Sequence, residues 1–362
     1  MTLTPRAGIL DIAPYVGGEA KIPGVEKPIR LASNESALGP SPKAMAAYHA
    51  HAADMFRYPD GGSTALRHTL AKHYGISADR IVCGAGSDDI IHLLTCAYAG
   101  PGDEVLYGKH GFSIYPIAAL QAGAKAVAVP ETNLTFDVDA TLARVTPKTK
   151  VVFIANPNNP TGTFIPRDEM KRLHAGLPKS VLLVIDSAYG EFVTRNDYDT
   201  GMEMAGTEPN VVMTRTFSKI YAMGGLRLGW SYTSAEITDV LNRVRNPFNV
   251  SSAAQAAGIA ALEDVAAVDR AREHNDVWRP WFEQEMKALG LDVTPSVANF
   301  VLIKFPAAPK SADAAWEFLR ARGILVRKVG VYHLPEYLRV TIGTEVEMRA
   351  VVAAIGDFLR SS

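Results

Sequence analysis

The feature that most constrains this chain is a succession of short apolar runs, each closed by polar or glycine residues, at 80–83, 104–107, 124–129, 151–154, 181–185, 211–214 and 226–232. Continuous runs of that length read as buried strands. Segments of helical character separate several of them, at 63–74, 88–98 and 166–175. Strands that alternate with helices fold as a mainly parallel sheet with helices on its faces, so the expected class is α/β. After Asn246-Pro247-Phe248 the pattern changes. An Ala-rich helical stretch (252–263), a long charged helix (264–289) and strand-like runs at 299–305 and 337–342 suggest a smaller α+β domain. Upstream, 31–40 reads as a loop, and Ser41-Pro42 reads as an N-cap followed by Pro at the first position of a helix over 43–53. The expected division is an N-terminal arm with part of the small domain (1–50), a large domain (51–250) and a C-terminal small domain (251–362).

Composition narrows the partners. Lys and Arg number 37 against 38 Asp and Glu, a formal net charge of -1. No global basic field exists to hold nucleic acid or an anionic membrane, so small-molecule substrates are expected. The N-terminal stretch carries Pro5 and Arg6 and no sustained apolar run, and no later stretch approaches the ~20 apolar residues that span a bilayer. Cys83 and Cys96 have neither disulfide-framework nor metal-ligand spacing. A reducing cytoplasm and no metal are the expectation. His49 and His51, two apart on a helix, do not share a face and read as solvated side chains.

Four segments carry chemistry. TRTFSKIYAMGGLRLG (214–229) follows a strand and gathers Thr216, Ser218, Lys219 and Arg227. A lysine amine condenses reversibly with an aldehyde, and hydroxyls with a guanidinium hold phosphate, although a lone lysine is more often a surface charge. VLLVIDSAY (181–189) delivers Asp186 at a strand end and Tyr189 just beyond; the carboxylate could pair with a cationic pyridine nitrogen, or simply cap a helix. ANPNNPTG (155–162) leaves another strand through a rigid turn that can aim Asn159, or be punctuation alone. GAGSDD (84–89) lies between a strand and a helix and offers Gly86, Ser87 and Asp88 as a phosphate seat.

In this order the segments resemble the fold-type I pyridoxal-phosphate aminotransferases, from the N-terminal loop to the last strand. LASNE (31–35), RYPDG (57–61), the GSDD loop, NPTG and RVTIG (339–343) are similar to the subfamily that acts on histidinol phosphate. The resemblance implies pyridoxal 5′-phosphate held by Lys219 as a Schiff base, with Asp186 on the ring nitrogen. Tyr189 and Asn159 would hold the ring's 3′-oxygen, and Phe112 would stack on its face. Gly86, Ser87, Asp88, Thr216, Ser218 and Arg227 would take the phosphate, with Tyr58 reaching it from the other subunit of a homodimer. Arg339 would clamp the α-carboxylate. Tyr15, Asn34 and Arg327 would complete the substrate site, Arg327 taking the distal charge.

The implied reaction exchanges an amino group between L-histidinol phosphate and 2-oxoglutarate, giving imidazole-acetol phosphate and L-glutamate in histidine biosynthesis. Two departures stand out. Ser36-Ala37 replaces the usual Asn-Pro after Asn34-Glu35, and Asp89 stands where Glu is usual. The altered loop leaves an aromatic or broad-range aminotransferase as an alternative. A decarboxylase of amino-acid phosphates and a non-catalytic binding module on the same scaffold are further readings.

Overall fold

The computed structural model describes residues 3–361; Met1, Thr2 and Ser362, the outermost residues of the expected first and last segments, lie outside the described residues. Strands β1 (Ile29–Leu31), β2 (Ile81–Gly84), β3 (Glu104–Gly108), β4 (Lys125–Val129), β5 (Thr149–Ala155) and β6 (Leu182–Asp186) are followed by β7 (Val211–Thr216), β8 (Gly229–Thr233), β9 (Asp292–Thr294), β10 (Phe300–Lys304), β11 (Ile324–Lys328) and β12 (Tyr337–Thr341). They form a 7-stranded sheet ordered β2-β8-β7-β6-β5-β3-β4 and a 5-stranded sheet ordered β1-β11-β12-β10-β9.

The large sheet is parallel from β7 through β4, and β8 runs antiparallel to both β7 and β2. Its apolar runs are continuous because both faces are covered. Val151, Phe153, Val184 and Val212 pack into one core, while Val152, Ile154, Ile185 and Met213 pack into the other. The chain is an α/β protein of the expected class.

The smaller sheet has its own core, in which Val301, Ile303, Val326, Leu338 and Val340 join Phe282, Met286 and Phe358. Its first strand comes from far upstream: β1 pairs in parallel with β11. Helix Ser252–Glu263 lies past the expected boundary at residue 250, yet it contributes Ala254, Ala257, Ala261 and Leu262 to a core of the large sheet. No helix among the described residues is long and apolar enough to cross a membrane.

Several boundaries differ from the sequence reading. The run at 226–232 becomes a strand only at Gly229, because Gly224–Leu226 forms a 3-10 turn and Arg227 takes φ 54°. The helix expected over 43–53 is Pro42–Ala50, capped by Ser41, whose hydroxyl accepts from Lys43 N and Ala44 N. Leu31, read as loop, ends β1. Strand β11 and helices Ala312–Ala321 and Glu345–Arg360 were not anticipated.

Within β7, Arg215 is buried against Glu191 at 2.8 Å, with its guanidinium 5.2 Å from the Tyr74 ring centre. Burying one ion without its partner is far costlier than burying the pair. Glu191→Ala is therefore expected to destabilise the protein by about 3–5 kcal/mol, read from its urea unfolding midpoint; a loss near zero would contradict the pairing.

Candidate active site

Strands β3 and β5 are neighbours, but the chain leaves them in opposite directions across the sheet, toward β4 and β6. The helix after β3, Ile114–Ala122, packs Tyr115, Ala118 and Ala119 on one face. The helix after β5, Arg167–Gly176, packs Met170 and Leu173 on the other. Connections that diverge in this way leave a crevice beyond the carboxyl ends of the strands. A cavity of about 460 Å³ fills it, within the usual range for small-molecule sites.

Strand ends deliver its walls: Ser87 and Asp88 after β2, Phe112 after β3, Asn159 after β5, Asp186 at the end of β6 and Tyr189 beyond it, and Thr216 at the end of β7 with Ser218, Lys219 and Arg227 beyond it. The smaller sheet adds Arg327 and Arg339, and the N-terminal segment adds Tyr15 and Asn34. Gly86 stands directly behind, at φ 101°; a Cβ there would come within 2.3 Å of Arg227 Nη2. That atom is the far end of a flexible side chain, so it is chiefly the positive φ that favours glycine at this point. Asp89 holds the same loop by accepting from Ala85 N at 2.9 Å.

Tyr58 is not brought to this cavity. It is 84% exposed and stacks on Phe248, with 4.7 Å between ring centres.

Lys219 donates to the Ser33 carbonyl at 3.4 Å and lies 5.5 Å from the Tyr189 ring centre. Burial, reinforced by the Arg339 charge, lowers its amine to about 8. At pH 7 roughly a tenth of such an amine is unprotonated, against a few parts in ten thousand for an ordinary lysine. The fold therefore presents a nucleophile.

Asp186 is buried with only neutral partners: Tyr115 donates to Oδ2 at 2.8 Å, Thr214 to Oδ1 at 3.3 Å, and the backbone of Ala188 adds a further bond. Burial raises its carboxyl and these hydrogen bonds pull the other way. A buried carboxylate in that setting favours a cationic ligand atom.

Tyr189 is held by Asn34, whose amide donates to its hydroxyl at 2.8 Å, and burial pushes the phenol up to about 12. Arg339 is buried, donates to Ala32 O at 2.8 Å and to Asn159 Oδ1, and keeps a buried Nε with no partner. Its guanidinium is held below the usual arginine value, chiefly by burial. An orphaned donor on a buried cation is a seat for an anion.

At the other wall Arg227 pairs with Asp88 at 2.7 Å and donates to Ser218 Oγ at 3.4 Å. Thr216 Oγ1 accepts from Ser218 N at 3.1 Å. With the N-terminus of helix Ser87–Tyr98, these groups make a second anion seat. Arg327 is half-buried and donates to Val16 O at 2.7 Å, tying the segment that carries Tyr15 to the small sheet. Burial raises the Tyr15 phenol, with Tyr332 adding to it.

An amine, a carboxylate with neutral partners and an anion seat of hydroxyls, a guanidinium and a helix N-terminus thus share one cavity, which is the donor set that pyridoxal phosphate needs. The sequence reading missed Tyr115, Thr214, Ser33 and Tyr332. The first two are buried polar side chains among apolar neighbours and carry no spacing signal; Ser33 acts through its carbonyl.

The model of aminotransferase class I and II matches residues 26–355. The chain is 57% identical over 356 residues to histidinol-phosphate aminotransferase of Rhodospirillum centenum, and the match covers 98% of each chain. The counterpart in Paramagnetospirillum magneticum is 56% identical with the same coverage. The solved histidinol-phosphate aminotransferase of Sinorhizobium meliloti, in complex with pyridoxal 5′-phosphate, superposes with a TM-score of 0.91 at 29% identity, over 99% of this chain and 98% of that one.

Two measurements follow from the electrostatics. The rate at which cofactor-free protein condenses with pyridoxal phosphate is expected to climb with pH and level off above about 8; a climb continuing past pH 10 would mark an ordinary lysine. Because the Asp186 carboxyl is raised above its unfolded value, it contributes less stability once pH passes that unfolded value and the site ionises. Asp186→Asn should therefore leave the Tm of the cofactor-free protein at pH 7 equal to or above the parent's, and a fall of several degrees would show that the carboxylate stabilises the fold.

Proposed function

The chain belongs to the class I and II aminotransferases, and from that premise we propose that it exchanges an amino group between L-histidinol phosphate and 2-oxoglutarate, forming imidazole-acetol phosphate and L-glutamate in histidine biosynthesis. The observation that carries the reading is the meeting of the desolvated Lys219 amine with two guanidiniums, Arg327 and Arg339, in one cavity. The names of the near-full-length relatives support the choice of substrate.

Pyridoxal 5′-phosphate, when bound, supplies an aldehyde for the amine and a ring that accepts the electrons of a deprotonated Cα. Lys219 Nζ holds the aldehyde and then moves the proton at the substrate's Cα; a value near 8 suits an amine that must both take and return a proton near neutrality. Asp186 holds positive charge at the ring nitrogen. Tyr189 Oη and Asn159 Nδ2 hold the 3′-oxygen. Arg339 engages the other end of the Asn159 amide, which leaves that Nδ2 free to point inward.

Phe112 stacks on the ring. Gly86, Ser87, Asp88, Thr216, Ser218 and Arg227 hold the phosphate, and Tyr58 reaches it from the partner of a homodimer, its exposure in one chain being what such a role requires. Arg339 takes the α-carboxylate of glutamate. Arg327, with Tyr15 and Asn34 around the substrate, takes in turn the phosphate of one substrate and the distal carboxylate of the other, since planar guanidinium forks suit both. On this reading residues 51–250, with helix Ser252–Glu263 packed on their core, are the cofactor-holding domain, 1–50 the arm and part of the small domain, and the remainder of 251–362 the rest. The cytoplasm is the proposed location.

A donor screen separates this reading from a broad-range or aromatic aminotransferase, the alternative raised by the sequence. Histidinol phosphate should convert the pyridoxal form to the pyridoxamine form in a single turnover, phenylalanine should do so far more slowly, and Lys219→Ala should abolish both. Equal rates would favour the broad-range enzyme, and carbon dioxide release without a keto acid a decarboxylase. Arg327→Leu is expected to raise KM for histidinol phosphate by roughly thirtyfold or more, as loss of one partner of a charge pair does; an unchanged KM would remove Arg327 from the site.

A further inference from the structure

Tyr115 opens the helix after β3, three residues past Phe112, and is 1% exposed. Its hydroxyl donates to Asp186 Oδ2 at 2.8 Å. Its ring lies flat on Phe153, with 4.7 Å between centres and 4° between planes, and meets Phe112 edge-on at 5.9 Å and 87°. Offset and edge-on contacts of this kind fix a ring's orientation as well as burying it. One side chain therefore touches both groups that the proposed cofactor ring would meet, the carboxylate at its nitrogen and the aromatic on its face.

We propose that Tyr115 is a positioning residue for the cofactor ring, anchoring Asp186 through its hydroxyl and Phe112 through its ring edge. The proposal rests on the reading of this cavity as a pyridoxal-phosphate seat. Asp186 has no charged donor, so its strength as a base depends on the hydroxyls of Tyr115 and Thr214 and on the backbone of Ala188. Burial keeps the Tyr115 phenol well above its ordinary value, so it stays protonated and acts as donor throughout the working pH range. The Thr214 bond, at 3.3 Å, is the longer of the two and the weaker. Removing the Tyr115 hydroxyl leaves a more basic carboxylate, which draws the shared proton from the ring nitrogen to its own oxygen. No bond to carbon changes in this step; only the position of one proton between nitrogen and oxygen shifts, and with it the electron demand of the ring.

The test is the holoenzyme loaded with pyridoxal phosphate carrying ¹⁵N in the ring, compared with Tyr115→Phe, which keeps the ring packing and loses only the hydroxyl. The ring-nitrogen resonance should move toward that of the unprotonated ring. kcat should fall roughly tenfold or more, the scale of one hydrogen bond to a charged group, with KM for the amino donor nearly unchanged. Thr214→Val should shift the resonance the same way by less.

Cofactor affinity in a cycle with Asp186→Asn gives an independent readout. If Tyr115 acts through Asp186, the double variant loses little more than Asp186→Asn alone. Additive losses, or a Tyr115→Phe enzyme with the parent's resonance and kcat whatever its Tm, would reduce Tyr115 to a core residue. A parent protein that shows no bound ring-nitrogen resonance would overturn the cofactor reading itself along with this one.

Discussion

Two adjacent parallel strands whose connections run to opposite faces cannot have their carboxyl ends covered by those same connections, and that constraint organises this molecule. It acts at β3 and β5. The loop after β3 turns toward one core and carries Phe112; the loop after β5 turns toward the other and carries Asn159. Next to β5, on the side away from β3, the ends of β6 and β7 open into the same cavity, so Asp186 and the segment with Lys219 meet it instead of a helix. Each residue is placed by the sheet's hydrogen-bonded register, which is far stiffer than a loop that must find its own conformation.

What the sheet leaves open, the N-terminal loop and the smaller sheet close. Asn34 is the point of contact: its backbone N donates to Thr341 Oγ1 at 2.9 Å, its side chain to Tyr189 at 2.8 Å, and its carbonyl accepts from Asn299 at 3.1 Å. It sits at φ 56°, a left-handed conformation that asparagine tolerates better than most residues. Arg339 adds a bond to Ala32 O. The unusual pair Ser36-Ala37 lies beyond this knot, beside Ile342 and Gly343 and away from the Lys219 cavity, so the loop departs from the common pattern where it does not touch the proposed chemistry.

The buried charges divide into two kinds. Arg215 and Glu191 neutralise one another inside the fold. Asp186 and Arg339 are buried and Lys219 half-buried, none with an opposing ion in contact, and each is shifted toward its neutral form mainly by desolvation. Such groups weaken a fold, and their gathering in one cavity marks it as a place where a ligand supplies the missing charges. The same desolvation that costs stability makes Lys219 nucleophilic.

The sequence by itself determined the class of fold, because continuous apolar runs alternating with amphipathic segments admit little besides a covered parallel sheet. It also named the residues with distinctive chemistry at strand ends, Lys219, Asp186 and Arg227 among them, since lysine, carboxylate and glycine-bounded turns leave a local signature. Strand β11 and the reversed direction of β8 were illegible, because pairing direction and partner are decided between segments distant in the chain. Tyr115 was illegible for the same reason: a buried aromatic on a helix reads as core, and only the approach of β6 across 71 residues turns its hydroxyl into a partner for Asp186. Tyr58 marks the opposite limit, a residue whose proposed role depends on a second chain and which one chain leaves at the surface. Local chemistry is written in residue types and short spacings; the distances that give that chemistry its electrostatics arise only when the sheet closes.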